Sequence, residues 1–238
     1  MLSLQNLSIG FGARTLLSEV NAVFGTGTLT ALIGRNGSGK STLLRAIAGL
    51  NRHYSGEILI DGHGLDRLST LAMARTVALV TTERIRIGNF RCYDIVAAGR
   101  APYTNWLGRM QQSDRQIVEE SLEAVGMLEF ADRSIDTLSD GETQRIMIAR
   151  ALAQSTPVML LDEPTSFLDM PSRYELCEFL ADLAHDSRRT ILFSTHELDI
   201  ALDIADTIAL IDSPTLTVLP AAEMRDSDAL RRLFSPRR

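Results

Sequence analysis

The chain has 238 residues, 45% of them hydrophobic and 23% charged, a composition that excludes a disordered or collagen-like polymer. Thirty acidic against twenty-four basic residues leave a net charge of −6 at pH 7, which argues against a protein built to grip a nucleic-acid backbone. No apolar run of about 18 residues and no secretory leader are visible, and the two cysteines, Cys92 and Cys177, lack metal-ligand spacing. These features predict a cytosolic chain with reduced thiols and a large core.

Short β-branched runs alternate with longer amphipathic stretches. The pattern predicts strands at residues 2–9, 29–33 and 57–60, with Asp61 and Gly62 turning the third into a further strand. Between the first two strand predictions and the third lies a helix over 40–48. A fourth strand at 77–80 is followed by a mostly helical stretch, with helices predicted over 114–125 and 142–153. Reciprocal capping patterns, Ser113-x-x-Gln116 and Ser139-x-x-Glu142, mark the starts of those two helices. Then come strands at 158–162, 191–194 and 208–211, with helices at 172–186 and 198–205. The order predicts one α/β unit carrying a helical insertion. Five arginines near the carboxyl terminus (Arg225, Arg231, Arg232, Arg237, Arg238) read as a solvated tail, with contact to anionic lipid as the alternative, and His53, His63 and His185 as surface residues without partners at useful spacing.

The run Gly34, Arg35, Asn36, Gly37, Ser38, Gly39, Lys40, Ser41 and Thr42 fits G-x-x-x-x-G-K-[ST], between a strand and a helix. Glycines let backbone N–H groups converge on phosphate oxygens, and the following helix offers its positive end to the same anion. Lys40 adds a full charge, contributing on the order of 4 kcal/mol per unit charge at ~4 Å and an effective dielectric of about 20. Ser41 is placed to ligate Mg²⁺. The chain is therefore predicted to bind a nucleoside triphosphate with Mg²⁺. Val158-Met-Leu-Leu-Asp162-Glu163 is an apolar strand ending in two acids. The first, Asp162, suits holding Mg²⁺ through its water shell, and Glu163 suits orienting or deprotonating the attacking water.

Upstream, Leu138-Ser139-Asp140-Gly141-Glu142-Thr143-Gln144-Arg145 resembles the signature of the ABC-transporter ATPases, whose usual form is LSGGQ. Ser166-Phe167-Leu168-Asp169 resembles the family's D-loop, His196 its switch histidine, and Phe11 the aromatic that stacks on adenine. The resemblance covers the whole chain, 1–238. It implies a phosphate-loop core with a mixed, largely parallel sheet, an amino-terminal antiparallel β subdomain, and an α-helical subdomain inserted at about 84–156. Also implied is a head-to-tail homodimer, in which each ATP lies between one chain's phosphate loop and the partner's signature residues Ser139, Asp140, Gly141 and Glu142. Glu163 and His196 are then catalytic, with Asp169 in the D-loop.

Two departures from the family pattern stand out. Asp140 and Glu142 replace the usual Gly and Gln. A capping box would turn Glu142 back on its own helix start, away from a triphosphate. The glutamine usual after the fourth strand is absent from Thr81-Thr82-Glu83; position favours Thr82, but metal-ligand chemistry favours Glu83, which is taken as the Mg²⁺ ligand with Thr82 as the other candidate. Finally, Gly99-Arg-Ala-Pro-Tyr-Thr104 with Trp106 resembles the subfamily serving iron–siderophore, haem and vitamin B12 importers. That resemblance implies a peripheral ATPase on the cytoplasmic face of the inner membrane, bound to two transmembrane permease subunits and served by an extracytoplasmic solute-binding protein, with no nucleic-acid partner. The alternative is a soluble ATPase acting as an assembly scaffold, as in iron–sulfur cluster biogenesis.

Overall fold

A computed structural model describes residues 1–11, 14–82, 89–104, 108–166 and 168–234, with backbone alone at Phe11, Leu233 and Phe234. The roles read for Glu83, Trp106, Phe167, Arg237, Arg238 and the Phe11 side chain lie outside the described residues.

The chain begins with β1 (Leu2–Phe11), β2 (Arg14–Phe24) and β3 (Thr28–Gly34), then α1 (Lys40–Ile47), β4 (Tyr54–Ile60) and the two-residue β5 (His63–Gly64). Next come α2 (Thr70–Thr76) and β6 (Val77–Val80), followed by the helices α3 (Cys92–Ala97), α4 (Gln112–Ala124) and α5 (Asp140–Ala153). The remainder is β7 (Val158–Leu161), α6 (Met170–Ser187), β8 (Thr190–Ser194), α7 (Leu198–Ile204), β9 (Thr207–Asp212), β10 (Thr215–Pro220), α8 (Ala221–Arg225) and α9 (Asp228–Phe234).

Two sheets form. The first is antiparallel, in the order β2-β1-β4-β5. Asp61 and Gly62, both at positive φ, make its β4–β5 hairpin as the sequence predicts. The second runs β10-β9-β3-β8-β7-β6, parallel except for the antiparallel edge strand β10. Its strands are apolar on both faces because both faces are covered. Leu32, Leu160, Leu192 and Ala209 pack with α1 and the antiparallel sheet, whereas Ala31, Met159, Leu161, Ile191 and Phe193 share a core with α5 and α6. Alternate residues thus serve opposite layers.

β2 was not visible as a strand in the sequence. Its burial does not alternate cleanly: Leu16 and Leu17 are both buried, and Glu19 sits at φ 51 before Val20, Ala22 and Phe24 resume the period. The register against β1 shifts there, so a bulge hides the alternation. A second difference concerns α4. Its cap is Gln111, with Asp114 reaching back to accept the Gln111 N–H at 2.9 Å, rather than Ser113 with Gln116. Asp114 is held in that place by an ion pair with the buried Arg100, an interaction that local capping patterns do not register.

The Gly99-Arg-Ala-Pro-Tyr-Thr104 stretch forms a tight turn after α3 and works as a staple. Gly99 lies so close to α5 that a Cβ would meet the Arg150 carbonyl oxygen at 2.3 Å. The Arg100 side chain donates to Asp114 Oδ1 at 3.0 Å, the Ala153 carbonyl at 2.8 Å and Ser155 Oγ at 3.0 Å. Its guanidinium lies 4.0 Å from the Tyr103 ring centroid. Tyr103 in turn donates to the Gln154 carbonyl, and the Gln154 amide donates to Ala74 and Val77. One network therefore joins α3, α4 and α5 to the foot of β6.

Candidate functional site

In a parallel sheet the strands deliver their carboxyl ends to one edge, where loops can hold a ligand against backbone N–H groups. Four such ends meet here: Gly34 as the last residue of β3, Asp162 after β7, Thr195 after β8, and Thr81 and Thr82 after β6. The phosphate loop bridges β3 and α1. Gly34, at φ 156, is confined by its surroundings, since a Cβ would meet the Ile211 carbonyl and Ser38 Oγ at 2.7 Å each. Gly39, at φ 108, turns the chain into α1 in a conformation disfavoured for side-chain-bearing residues.

Lys40 is buried in the loop, its Nζ donating to the Gly34 carbonyl at 2.9 Å and the Arg35 carbonyl at 3.4 Å. Burial pulls its pKa below the usual lysine range, and the negative charges of Glu163 and Asp162 oppose that shift. A cleft of about 430 Å³ opens beside it, lined by Asn36, Gly37, Gly39, Lys40, Ser41, Thr42 and Glu163 together with Arg14 and Leu16 of β2.

Asp162 sits just past the end of β7 and is buried, with Ser41 Oγ 3.0 Å and Ser194 Oγ 2.6 Å from its Oδ1. The register explains Ser194: Leu161 pairs with Phe193, which brings the next residues of β7 and β8 side by side. Ser194 Oγ also accepts the Glu163 N–H at 2.9 Å. Glu163 adopts φ 48, a left-handed conformation costing a non-glycine residue on the order of 1–3 kcal/mol, and this serine bond helps to hold it. The kink turns Glu163 towards the cleft while Asp162 stays buried in front of Ser41.

The residues suit a magnesium–nucleotide. The Ser41 hydroxyl donates to Asp162 Oδ1 at 3.0 Å, so two hard oxygens stand side by side where Mg²⁺ would be held, by Ser41 and, through its water shell, by Asp162. Among the described residues no cluster of three or more His, Cys, Asp and Glu could hold a metal by itself, so phosphate and water oxygens would have to complete the shell.

His196 is exposed and lines a second cleft of about 220 Å³ with Gly34, Arg35 and Asn36, on the other flank of the loop. Its Nε2 lies 4.0 Å from Glu197 Oε1. Thr82 is half-buried at the end of β6.

The signature residues line neither cleft. Ser139 caps α5, and Glu142 Oε2 accepts both the Ser139 N–H and its hydroxyl at 2.7 Å. Those bonds hold the Glu142 carboxyl below the usual glutamate range. Asp140 is exposed, while Gly141 lies against Leu168, whose Cδ2 is 2.9 Å from where a Cβ would stand. Asp169 caps α6, its Oδ1 accepting the Ser172 N–H at 3.1 Å.

Other residues are outside these clefts. His53 and His63 are exposed; His185 is exposed too, but it contacts Asp206 at 2.9 Å. Cys92 and Cys177 are free and buried, and burial raises both thiol pKa values, that of Cys177 to about 12. Arg14, Leu16 and Ser194 are site residues that motif reading missed. The bulge in β2 concealed the first two, while Ser194 carried the weak signal of a polar residue ending an apolar strand.

A parallel sheet with a glycine-rich strand-to-helix loop, a buried lysine and a serine–aspartate pair across it defines a phosphate-loop nucleoside triphosphatase. Residues 17–166 match the ABC transporter family, and the chain belongs to that family. It is 41% identical over 211 residues to an uncharacterized ABC transporter ATP-binding protein of Methanocaldococcus jannaschii, covering 89% of this chain and 73% of the relative. It is 35% identical over 234 residues to the iron(3+)-hydroxamate import ATP-binding protein of Bacillus subtilis, covering 98% and 87%. Among solved structures, one described as an inward-facing ABC transporter of metal-chelate type matches with a TM-score of 0.86 and 29% identity, over 98% of this chain and 88% of that one. The chain is thus an ATP-binding ABC ATPase, and none of its described helices is long and apolar enough to cross a membrane.

Proposed function

We propose that this chain is the ATP-hydrolysing motor of an importer for iron–siderophore, haem or cobalamin-type metal chelates. The observation that carries the reading is the cleft where Lys40, Ser41 and Glu163 meet in front of Asp162. Its similarity to a hydroxamate import subunit supports the choice of solute class.

In this reading the whole chain is one ABC ATPase domain, with residues about 84–156 as its helical subdomain. The loop from Gly34 to Thr42 wraps the phosphates, and Phe11 stacks on adenine. Lys40 sets its charge against the terminal phosphates. Ser41, Asp162 and either Glu83 or Thr82 hold Mg²⁺, which when bound neutralises phosphate charge. The Glu163 carboxylate orients the attacking water and takes its proton, and His196 hydrogen-bonds the terminal phosphate. A second copy packs head to tail and presents Ser139, Gly141 and the start of α5 to the same nucleotide. Asp140 and Glu142 stay off the phosphates, Glu142 because it is engaged at its own helix start. ATP favours the closed dimer by binding it more tightly than the open one, and hydrolysis releases it. Two transmembrane permease subunits receive the motion at the cytoplasmic face of the inner membrane, and an extracytoplasmic binding protein selects the chelate.

Affinity purification of tagged chain from detergent-solubilised membranes of its host tests this. A two-to-two complex with a polytopic subunit, and uptake of labelled ferric hydroxamate, haem or cobalamin lost on Lys40→Ala, are expected. Recovery in the soluble fraction with cluster-assembly proteins would establish the scaffold reading instead.

A further inference from the structure

The loop that carries His196 and the loop that follows Glu163 are joined by one side chain that no motif includes. Arg173, on the first turns of α6, donates through Nε to the Leu168 carbonyl at 2.8 Å and through Nη1 to Glu197 Oε1. The side chains are only 28% and 14% exposed. The other oxygen of that carboxylate, Oε2, is buried with no hydrogen-bond partner among the described residues, so the Arg173 guanidinium is the close counter-charge of Glu197, with His196 Nε2 farther off at 4.0 Å from Oε1. A rigid guanidinium fork suits this task because its donors point at two partners at a fixed angle.

Each end of the fork leads to a different part of the machinery. On one side Glu197 directly follows His196, and its N–H donates to Thr195 Oγ1 at 3.0 Å. Thr195 is itself tied by its N–H to the Leu32 carbonyl at the end of β3. The His196 loop is therefore moored both to β3 and to Arg173. At the other end, buried Leu168 precedes Asp169 and covers Gly141 in the first turn of α5. In the proposed dimer, which this inference rests on, His196 serves the chain's own ATP while Ser139 and Gly141 serve the partner's. We infer that Arg173 is a positioning residue that sets His196 and the start of α5 together, so that one chain presents its contributions to both nucleotides in register. It touches no reacting atom, and it acts through Glu197 and Leu168.

The test uses the full chain, measuring steady-state hydrolysis of Mg·ATP and equilibrium binding of a fluorescent ATP analogue. Arg173→Ala is expected to lower kcat about 10–100-fold, the scale of a misplaced catalytic group, with KM and analogue affinity within about threefold of wild type. Glu197→Gln should give a similar kcat loss, and the double variant should be no slower than Arg173→Ala alone, because both cut one link. Arg173→Lys keeps the charge but cannot point in both directions, so an intermediate kcat is expected. Glu163→Gln in the same assay separates the two levels. If turnover survives that change, the reading of the site falls and this inference with it. If Glu163→Gln abolishes turnover but folded Arg173→Ala stays within about threefold of wild-type kcat, or the two losses multiply in the double variant, the inference alone falls. Should Arg173→Ala not fold, Glu197→Gln carries the same expectation: a kcat within about threefold of wild type would refute the link.

Discussion

Replacing Arg100 by methionine removes a guanidinium that is only 7% exposed while keeping much of the apolar stem. Three bonds go with it: to Asp114 Oδ1, to the Ala153 carbonyl and to Ser155 Oγ. Asp114, 6% exposed, is left as an uncompensated carboxylate supported by the Gln111 N–H. Breaking a buried pair from one side costs about 3–5 kcal/mol. For a chain of this size each kcal/mol moves the midpoint by about 2–4 °C, so thermal unfolding followed by circular dichroism should show a drop of about 6–20 °C. The pH dependence has a definite sign. The Gln111 N–H first, and then Arg100, hold the Asp114 carboxyl below the usual aspartate range. Its folded pKa being depressed, the contribution is fully present above the ordinary value of 3.8 and is lost as pH falls through the lower folded value. Arg100→Met should therefore shrink the difference between neutral and acid stability, leaving the part due to Gln111. A variant melting within about 2 °C of wild type at neutral pH would refute the reasoning that this turn staples α3, α4 and α5 to β6.

Two further substitutions test neighbouring claims. Gly99→Ala places a methyl 2.3 Å from a backbone oxygen of α5, so α3 and α5 must separate; a loss of about 1–3 kcal/mol is expected in denaturant titration. Asp140→Gly, a change at an exposed residue, should alter ATP turnover by less than about tenfold, and a hundredfold change would show that Asp140 faces the nucleotide.

The sequence made the parallel sheet and its phosphate edge legible because both depend on local signals: apolar strands, glycines at a strand-to-helix turn, and acids at a strand end. The cap at Ser139 was readable for the same reason, being closed within four residues. What escaped was set by contacts distant in the chain. Arg14 and Leu16 reach the cleft on a strand whose bulge breaks the alternation that would reveal it. β10 is half-buried along its middle and lacks a clear period, and α3 is only six residues long with Arg91 at its start. Ser194 matters through register with β7, and Arg173 through a partner 24 residues on. The Gly99-to-Thr104 stretch, singled out by resemblance to an importer subfamily, also has a structural role that its sequence alone does not reveal.

The central claim is that ATP closes two copies of this chain around the phosphate loop and the partner's signature. Light scattering of the size-separated Glu163→Gln variant tests it most directly, with the protein loaded with Mg·ATP or left without nucleotide. The account predicts a dimer with Mg·ATP, a monomer without it, and no dimer when Lys40→Ala is added. A variant that binds ATP to saturation and remains monomeric would contradict it.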